Sequence, residues 1–223
     1  ELYLDPLTGY EYLKAFKRSS SRMITNLSLL FLAMNSIEAS PLLTVRSKEI
    51  EEIRQELYRR ESEIPVLIPQ EYDIGYEMFI NAFKTALMLE DWINEYSEEQ
   101  ILEKYNARPG DLYSKIEISD WLIYAMSELA RIEGFREIEK KSRKLRVMLK
   151  YGVREELLQL VSLRGIGRVY ARKLYSKGYT TISKLKKSSY EELIRIINRR
   201  DIVESICKQL GIKKAGLRDF ENG

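Results

Sequence analysis

The chain has 223 residues, 44% of them hydrophobic and 32% charged, a balance that is typical of a globular protein with a sizeable core. A single cysteine, Cys207, and no histidine exclude an internal disulfide and a metal site built from these residue types. The longest apolar run, near residues 27–33, is too short to cross a bilayer. We therefore expect a cytoplasmic protein with no metal and no membrane segment. Its start at Glu1 instead of Met indicates a part of a longer protein.

The net charge of +3 is unevenly distributed along the chain. Residues 1–149 contain 20 basic and 26 acidic side chains, a net charge of −6, whereas residues 150–223 contain 17 basic and 8 acidic side chains, a net charge of +9. A basic end behind an acidic body is typical of a protein that contacts nucleic acid there. A solvated lysine-rich face would give the same charge, so charge alone leaves both interpretations open.

Apolar residues recur every three to four positions through almost the whole chain, so the predicted fold class is mainly α. The segment 5–9 reads as a turn that starts a helix near Tyr10. Further helices are predicted over residues 21–35, 47–60, 71–96, 98–105, 110–133 and 135–150, with breaks at the proline-containing stretches. We group residues 10–150 in one helical bundle and place a domain boundary near residue 150.

The sharpest motif lies in residues 160–178, which read LVSLRGIGRVYARKLYSKG. It predicts a helix ending at Leu163, a hairpin built on Gly165 and Gly167, and a second helix from about 168 to 177. Glycine allows a backbone that a side chain would block and lets that backbone approach a ligand closely. The apolar residues are expected to fix the hairpin on its two helices: Leu160, Leu163, Ile166, Ala171 and Leu174.

Such a hairpin presents main-chain N–H groups at the N-terminus of a helix, which is a favourable place for a phosphate. Phosphate contacts of this kind do not depend on base sequence. The alternative is a glycine-capped helical hairpin without a ligand. The predicted nucleic-acid-binding residues of this motif are Arg164, Gly165, Ile166, Gly167, Arg168, Arg172 and Lys173.

These residues resemble the helix-hairpin-helix family, which binds DNA non-specifically through the hairpin amides. Modules of that family usually occur in pairs. The continuation over residues 181–210 is expected to be a degenerate second half, because residues 198–201, Asn-Arg-Arg-Asp, stand where its glycine hairpin would be.

The predicted helix over residues 110–133 carries an aromatic residue opposite its core stripe. Trp121 lies in line with Ser114 and Glu128 at seven-residue spacing. An aromatic side chain in that position can stack on a nucleic-acid base, although spacing alone favours packing against another helix. Trp92 carries the same ambiguity, with no reason to prefer a functional role. The core stripe consists of Leu112, Ile116, Leu122, Ile123, Met126, Leu129 and Ala130.

Motifs along about residues 1–210 resemble the archaeal Hjm-type superfamily-two DNA repair helicases, which are related to the helicase half of DNA polymerase theta. The matching segments are 5–9, 84–93, 105–112, 120–122, 151–158 and 166–175. The resemblance implies four parts in chain order. These are the end of a winged-helix domain (1–9), a helical ratchet domain (10–150), a helix-hairpin-helix domain (151–211) and a flexible tail (212–223).

In that family a ratchet-helix tryptophan stacks on a base of the translocating strand, and it matches Trp121. The resemblance therefore implies a stacking role there. The family's strand-contacting arginine, seven residues earlier, is replaced here by Ser114, while Lys115 points about 100° away.

The family couples ATP hydrolysis to three-prime to five-prime unwinding of forked DNA in replication-coupled repair and recombination. ATP and Mg²⁺ would bind its motor domains, and no phosphate-binding P-loop motif occurs in these 223 residues. We therefore expect this part to bind single-stranded or forked DNA near the nucleoid, with no catalytic residue and no cofactor of its own.

Two other functions stay open at this stage. A protein-interaction module would recruit a partner such as a sliding clamp or a junction resolvase, and Leu217 and Phe220 faintly resemble a clamp-binding peptide that lacks its usual glutamine. A self-contained nuclease or lyase would need acidic groups beside the hairpin. Asp201 and Glu204 are available, but nothing distinguishes them from a solvated helix face.

Overall fold

The computed structural model describes residues 3–19 and 24–212, and these residues form helices and loops without a strand. The predicted mainly α fold class is confirmed. The chain divides into two compact units, Glu1–Gly152 and Val153–Gly223. In the described part the first unit contains α1 (Pro6–Ser19), α2 (Asn26–Met34), α3 (Ile50–Arg59), α4 (Tyr76–Ile93), α5 (Glu98–Tyr105), α6 (Pro109–Ile132) and α7 (Arg136–Tyr151). The second contains α8 (Leu158–Val161), α9 (Arg168–Ser176), α10 (Ile182–Leu185), α11 (Tyr190–Ile197) and α12 (Arg200–Leu210).

The first helix begins at Pro6, four residues before the start that the turn signal predicts. One side-chain oxygen of Asp5 accepts a hydrogen bond from the N–H of Leu7 at 2.7 Å and so caps the first turn. Proline suits the first helical position because its missing N–H would have no partner there. Gly9 continues the helix, and its N–H donates to the Asp5 carbonyl at 3.0 Å.

The core of the first unit is built around α2, which is apolar on every side. All residues from Leu27 to Met34 are buried, as expected for a helix enclosed by others. The helix begins at Asn26 because Thr25 and Ser28 form a reciprocal capping box. Helix α2 packs against α4 and α6, and α6 lies along α7.

Trp92, at the end of α4, belongs to this core. Its indole N–H donates a buried hydrogen bond to the carbonyl of Leu149 at 2.7 Å, and its ring meets Tyr113 edge to face. Only 8% of Trp92 is exposed. The ambiguity left by the sequence is therefore resolved in favour of a structural role.

The second unit is a set of short helices around a small apolar core. A 3₁₀ turn over Glu155–Leu157 leads into α8, so the helix predicted to end at Leu163 is shorter and partly 3₁₀. Helices α11 and α12 are joined at Asn198, which has φ 54° and ψ 31°, a left-handed conformation that asparagine tolerates better than most residues. The fully buried side chains of this unit include Leu157, Leu160, Ala171, Leu174, Leu185, Leu193, Val203 and Ile206.

Candidate nucleic-acid interface

The turn between α8 and α9 has the hairpin form that its glycine spacing predicts. The N–H of Ile166 donates to the carbonyl of Leu163 at 3.1 Å and closes the turn. Gly165 has φ +92°, in the region that favours glycine. Gly167 is extended and caps α9, its carbonyl accepting from the N–H of Ala171 at 3.0 Å.

Ile166 anchors this hairpin. Its side chain is 2% exposed, while Ala171 and Leu174 on α9 are completely buried, so the hairpin is seated on the core of the second unit. Its N–H is already used within the turn. Of the predicted binding residues, Ile166 therefore has an anchoring role and offers neither a side chain nor a free amide to a ligand.

The exposed amides of the hairpin belong to its two glycines. Gly165 and Gly167 are exposed, and within residues 3–19 and 24–212 neither N–H group has a hydrogen-bond acceptor. The N–H of Arg164, by contrast, donates to Oε1 of Gln209 at 2.9 Å. The predicted row of amides is thus interrupted at positions 164 and 166, and the two exposed glycines beside the N-terminus of α9 supply its unpaired N–H groups.

The surroundings of Gly167 give no internal reason for a glycine. A β-carbon built there would meet no heavy atom within 4 Å. The backbone, with φ −95° and ψ −176°, is extended and accessible to any residue. The open space in front of this main chain is the approach that a phosphate would need.

The four predicted counter-charges have different environments. Arg164 and Lys173 are exposed. Arg172 forms an ion pair with Glu156, with the nitrogen and oxygen 3.0 Å apart, and its guanidinium lies 5.2 Å from the centre of the Tyr175 ring. Arg168 is half-buried and is also engaged within the protein. Arg164 and Lys173 are therefore the more accessible cations.

The second hairpin, around Asn198, carries an arginine that is committed to an acidic neighbour. Arg199 donates two hydrogen bonds to Asp201, at 3.0 and 2.8 Å. These bonds lower the pKa of the Asp201 carboxyl below its usual value. Across the described ranges, no group of three or more histidine, cysteine, aspartate or glutamate residues is arranged to hold a metal ion. The structure thus gives Asp201 a salt-bridging role.

A second candidate contact lies on α6 in the first unit. Trp121 is half-buried in the middle of this helix, and Ser114, two turns earlier, is exposed. The Ser114 hydroxyl donates to the carbonyl of Asp111 at 3.1 Å. Part of the predicted core stripe reaches the surface as well, since Ile116 and Leu129 are only half-buried.

Tyr124 and Arg146 extend this face, and the sequence reasoning missed both. Tyr124 is 40% exposed and lies one turn after Trp121. The guanidinium of Arg146, from α7, lies 4.8 Å from the centre of the Tyr124 ring, while two of its nitrogens bind Asp120 at 2.8 and 2.9 Å. The three-residue spacing from Trp121 to Tyr124 was a usable signal, whereas the contribution of α7 was not visible in the sequence.

Lys115 cannot replace the arginine that is missing at position 114. It is 6% exposed, and its ammonium donates to the carbonyl of Ala39 at 2.6 Å. Burial also lowers the pKa of Lys115 below its usual value. This lysine therefore holds the loop at Ala39 against α6 and points away from solvent.

Within the described residues, none of the helices combines the length and the apolar character that crossing a membrane requires. Leu217 and Phe220, the residues of the suggested clamp-binding peptide, lie outside the described residues, as does most of the predicted tail.

Comparison with known proteins identifies both units. Residues 27–152 match the family described as archaeal helicase, domain 4, and residues 156–211 match the SAM-like helix-hairpin-helix tandem family. Similar curated relatives include proteins named ATP-dependent DNA helicase Hel308. The relative from Thermococcus kodakarensis is 35% identical over 215 residues, which is 96% of this chain and 19% of the relative.

A second such helicase, from Caldivirga maquilingensis, is 39% identical over 217 residues, covering 93% of this chain and 28% of the relative. A third, from Pyrococcus abyssi, is 37% identical over 217 residues, covering 95% and 29%. The chain thus spans less than a third of the length of these relatives. Because the domain 4 match covers more than half of the chain, the chain belongs to the archaeal helicase domain 4 family.

Proposed function

We propose that this chain is the C-terminal DNA-binding region of an ATP-dependent three-prime to five-prime helicase that acts on forked or branched DNA in replication-coupled repair. In this proposal the region binds single-stranded DNA and has no catalytic activity of its own. The observation that carries the proposal is the exposed hairpin, where Gly165 and Gly167, next to the exposed Arg164, have N–H groups without an acceptor among the described residues.

The hairpin would capture a phosphate of the DNA backbone. Main-chain N–H groups at a helix N-terminus carry a partial positive charge and suit an anion. Arg164 and Lys173 are exposed and would add counter-charge, and the open space in front of Gly167 would let the phosphate approach. Such contacts hold a strand without reading its bases.

A second contact on α6 would hold a base. Trp121 is partly exposed, and Tyr124, one turn later, is 40% exposed. A base stacked on an aromatic side chain contributes about 1–3 kcal/mol, and stacking tolerates any base. Backbone capture in one unit and base stacking in the other would suit a region that holds a strand passing through a motor enzyme.

The motor activity would reside elsewhere in the longer protein. The relatives carry the name ATP-dependent DNA helicase and are more than three times as long as the matched region. ATP and Mg²⁺ would bind motor domains of the same polypeptide, and the present region would associate with those domains. We also propose that the whole protein is associated with DNA in the nucleoid.

The second candidate function is recruitment of a partner such as a sliding clamp or a junction resolvase. Its only support is the resemblance of the segment around Leu217 and Phe220 to a clamp-binding peptide. A pull-down that survives nuclease and high salt would favour it, whereas DNA capture by the hairpin predicts loss of the complex under both treatments.

Fluorescence anisotropy with a labelled oligothymidylate tests the DNA-binding proposal. Gly167→Ala is the informative variant, since the backbone at this position accepts alanine and the added methyl group meets no protein atom. A methyl group in the path of a phosphate should weaken binding about tenfold, the equivalent of one charge-assisted hydrogen bond. Gly165→Ala is less informative because its positive φ adds strain.

Gly75→Ala is the matched control. This exposed glycine precedes α4 as Gly167 precedes α9, its φ is negative, and an added β-carbon would meet no heavy atom within 4 Å. The proposal requires wild-type affinity for Gly75→Ala and weakened, salt-sensitive binding for Gly167→Ala. Equal affinities of the two variants would reject phosphate capture at the hairpin.

A further inference from the structure

Helix α12 holds the DNA-facing hairpin through the side-chain amide of Gln209. Its Oε1 accepts the N–H of Arg164 at 2.9 Å, and its Nε2 donates to the carbonyl of the same residue at 3.0 Å. A carboxamide that binds both main-chain groups of one residue fixes its position in two directions at once. Arg164 directly precedes Gly165, so the two hydrogen bonds from Gln209 hold the residue next to the exposed glycine amides.

Two more residues on the same face of α12 lie next to the hairpin. The Ser205 hydroxyl donates to the Arg164 carbonyl at 3.4 Å. The Cγ2 atom of Ile202 lies 3.9 Å from the place where a β-carbon on Gly165 would be. Positions 202, 205 and 209 are three and four residues apart and therefore form one stripe on the helix. The stripe is directed at the hairpin along most of the length of α12.

The carboxamide of Gln209 is itself held in place by its own helix, α12. The second N–H of the Gln209 Nε2 group is shared between the carbonyl and the hydroxyl of Ser205, at 3.1 and 3.2 Å. The carboxamide orientation is thus defined on both sides, by its own helix and by Arg164. Such a side chain positions its target more sharply than a single hydrogen bond would.

The hairpin that precedes α12 differs from the one that α12 supports. It has Asn198 in place of a glycine, and its cation Arg199 is paired with Asp201. The terminal helix of this half therefore has well-defined contacts with the first hairpin, whereas its own turn lacks the glycine pair.

We propose that α12 supports the first hairpin and that Gln209 is a positioning residue. Gln209 holds Arg164 and the adjacent glycine amide in the conformation that receives a phosphate. This inference rests on the proposed DNA-binding function. A site that is only partly populated in its binding conformation loses affinity in proportion to that fraction. Without the hydrogen bonds from Gln209, the main chain at Arg164 would have to be ordered at the moment of binding.

The main variant is Gln209→Met, which keeps the length of the side chain and removes both hydrogen bonds to Arg164 together with those to Ser205. Gln159→Met is its matched control, because Gln159 is an exposed glutamine of the same unit whose Oε1 accepts a bond from Ile182 at 3.4 Å. For Gln209→Met we expect oligothymidylate binding to weaken about 3- to 10-fold, as for one to two net hydrogen bonds. Gln159→Met should bind as the wild type does.

Hydrogen exchange of the Arg164 amide, followed by NMR, separates positioning from general loosening of the fold. The amide should exchange faster in Gln209→Met, which has no acceptor for it. Gln209→Glu keeps an acceptor and should keep the amide protected, although its donor to the Arg164 carbonyl is lost. Fast exchange in both variants would mean that α12 merely packs there, and would overturn the positioning role.

Gly167→Ala distinguishes a failure of this inference from a failure of the proposed function. If Gln209→Met binds like the wild type while Gly167→Ala binds weakly, the hairpin captures phosphate without help from Gln209, and the positioning role of Gln209 is rejected. If both variants bind like the wild type, both the proposed function and the positioning role of Gln209 are rejected. Weakened binding by both, with Gln159→Met unaffected, supports the two together.

Discussion

A β-carbon on Gly152 would lie 2.7 Å from Cε2 of the Trp92 indole, so these two residues fit together only because position 152 has no side chain. Gly152 ends α7 with φ +60°, a conformation that also favours glycine. Together with the hydrogen bond from the indole to Leu149, this contact ties the end of α4 to the end of α7.

The first prediction concerns that contact. Gly152→Ala should lower the free energy of unfolding of the first unit by about 2–4 kcal/mol, because left-handed strain adds to overpacking against Trp92. Urea denaturation followed by circular dichroism measures the loss. Gly134→Ala is the control, since Gly134 has φ +80° but free space for a β-carbon, and it should lose only about 1 kcal/mol. Equal losses would contradict the steric account.

A second prediction concerns the aromatic face of α6. Trp121→Ala should weaken binding to oligothymidylate by about 1–3 kcal/mol, the usual contribution of one stacked base. Because most of Trp121 is buried, its loss should also lower the melting temperature, so circular dichroism must show that the variant is folded at the temperature of the binding measurement. Tyr58→Ala removes an aromatic that is 80% exposed on α3 and serves as the control. Wild-type affinity for Trp121→Ala would leave this tryptophan with a packing role only.

A third prediction is a gain of affinity. Ser114 is exposed two turns before Trp121, on the same side of α6, where an arginine would reach a phosphate of a strand stacked on the indole. Ser114→Arg should therefore raise the affinity for single-stranded DNA about 3- to 10-fold, and the gain should vanish at high salt. A gain that persists with Trp121→Ala in the background would place the strand elsewhere.

A fourth prediction concerns the buried Lys115. Burial lowers its pKa in the folded protein, so the unfolded chain binds this proton more tightly. The contribution of Lys115 to stability should then increase as the pH rises through the lowered pKa toward the usual value of 10.5. The difference in free energy of unfolding between the wild type and Lys115→Met should shift in favour of the wild type over that range.

The same variant has a second expected result. DNA affinity should be unchanged in Lys115→Met, because the ammonium is bound to the carbonyl of Ala39 and does not face solvent. A pH-independent stability difference would show that burial does not perturb this lysine, and weakened DNA binding would show that it reaches the strand.

Local sequence rules predicted the hairpin well because its determinants are local. Gly165 and Gly167 set the turn, Ile166 faces the core and Leu174 lies on the buried side of α9, all as their spacing indicates. The mainly α fold and the resemblance to archaeal repair helicases were confirmed for the same reason, since both depend on patterns within short segments.

The parts that the sequence did not predict depend on contacts between distant segments. Nothing near Gln209 indicates that it binds Arg164, 45 residues earlier. Nor does the sequence near Lys115 indicate that it binds the carbonyl of Ala39, 76 residues earlier. The start of α1 was missed for a different reason, because Asp5 and Pro6 can open either a turn or a helix, and here Asp5 caps a helix that begins at Pro6.

The central claim is that the exposed amides of the first hairpin bind a phosphate of single-stranded DNA. An NMR titration of the ¹⁵N-labelled chain with oligothymidylate tests it most directly, because it reports on each N–H group separately. The account predicts that the amides of Gly165 and Gly167 shift most strongly and saturate together with the overall binding curve. Saturation with these two amides unperturbed would contradict it.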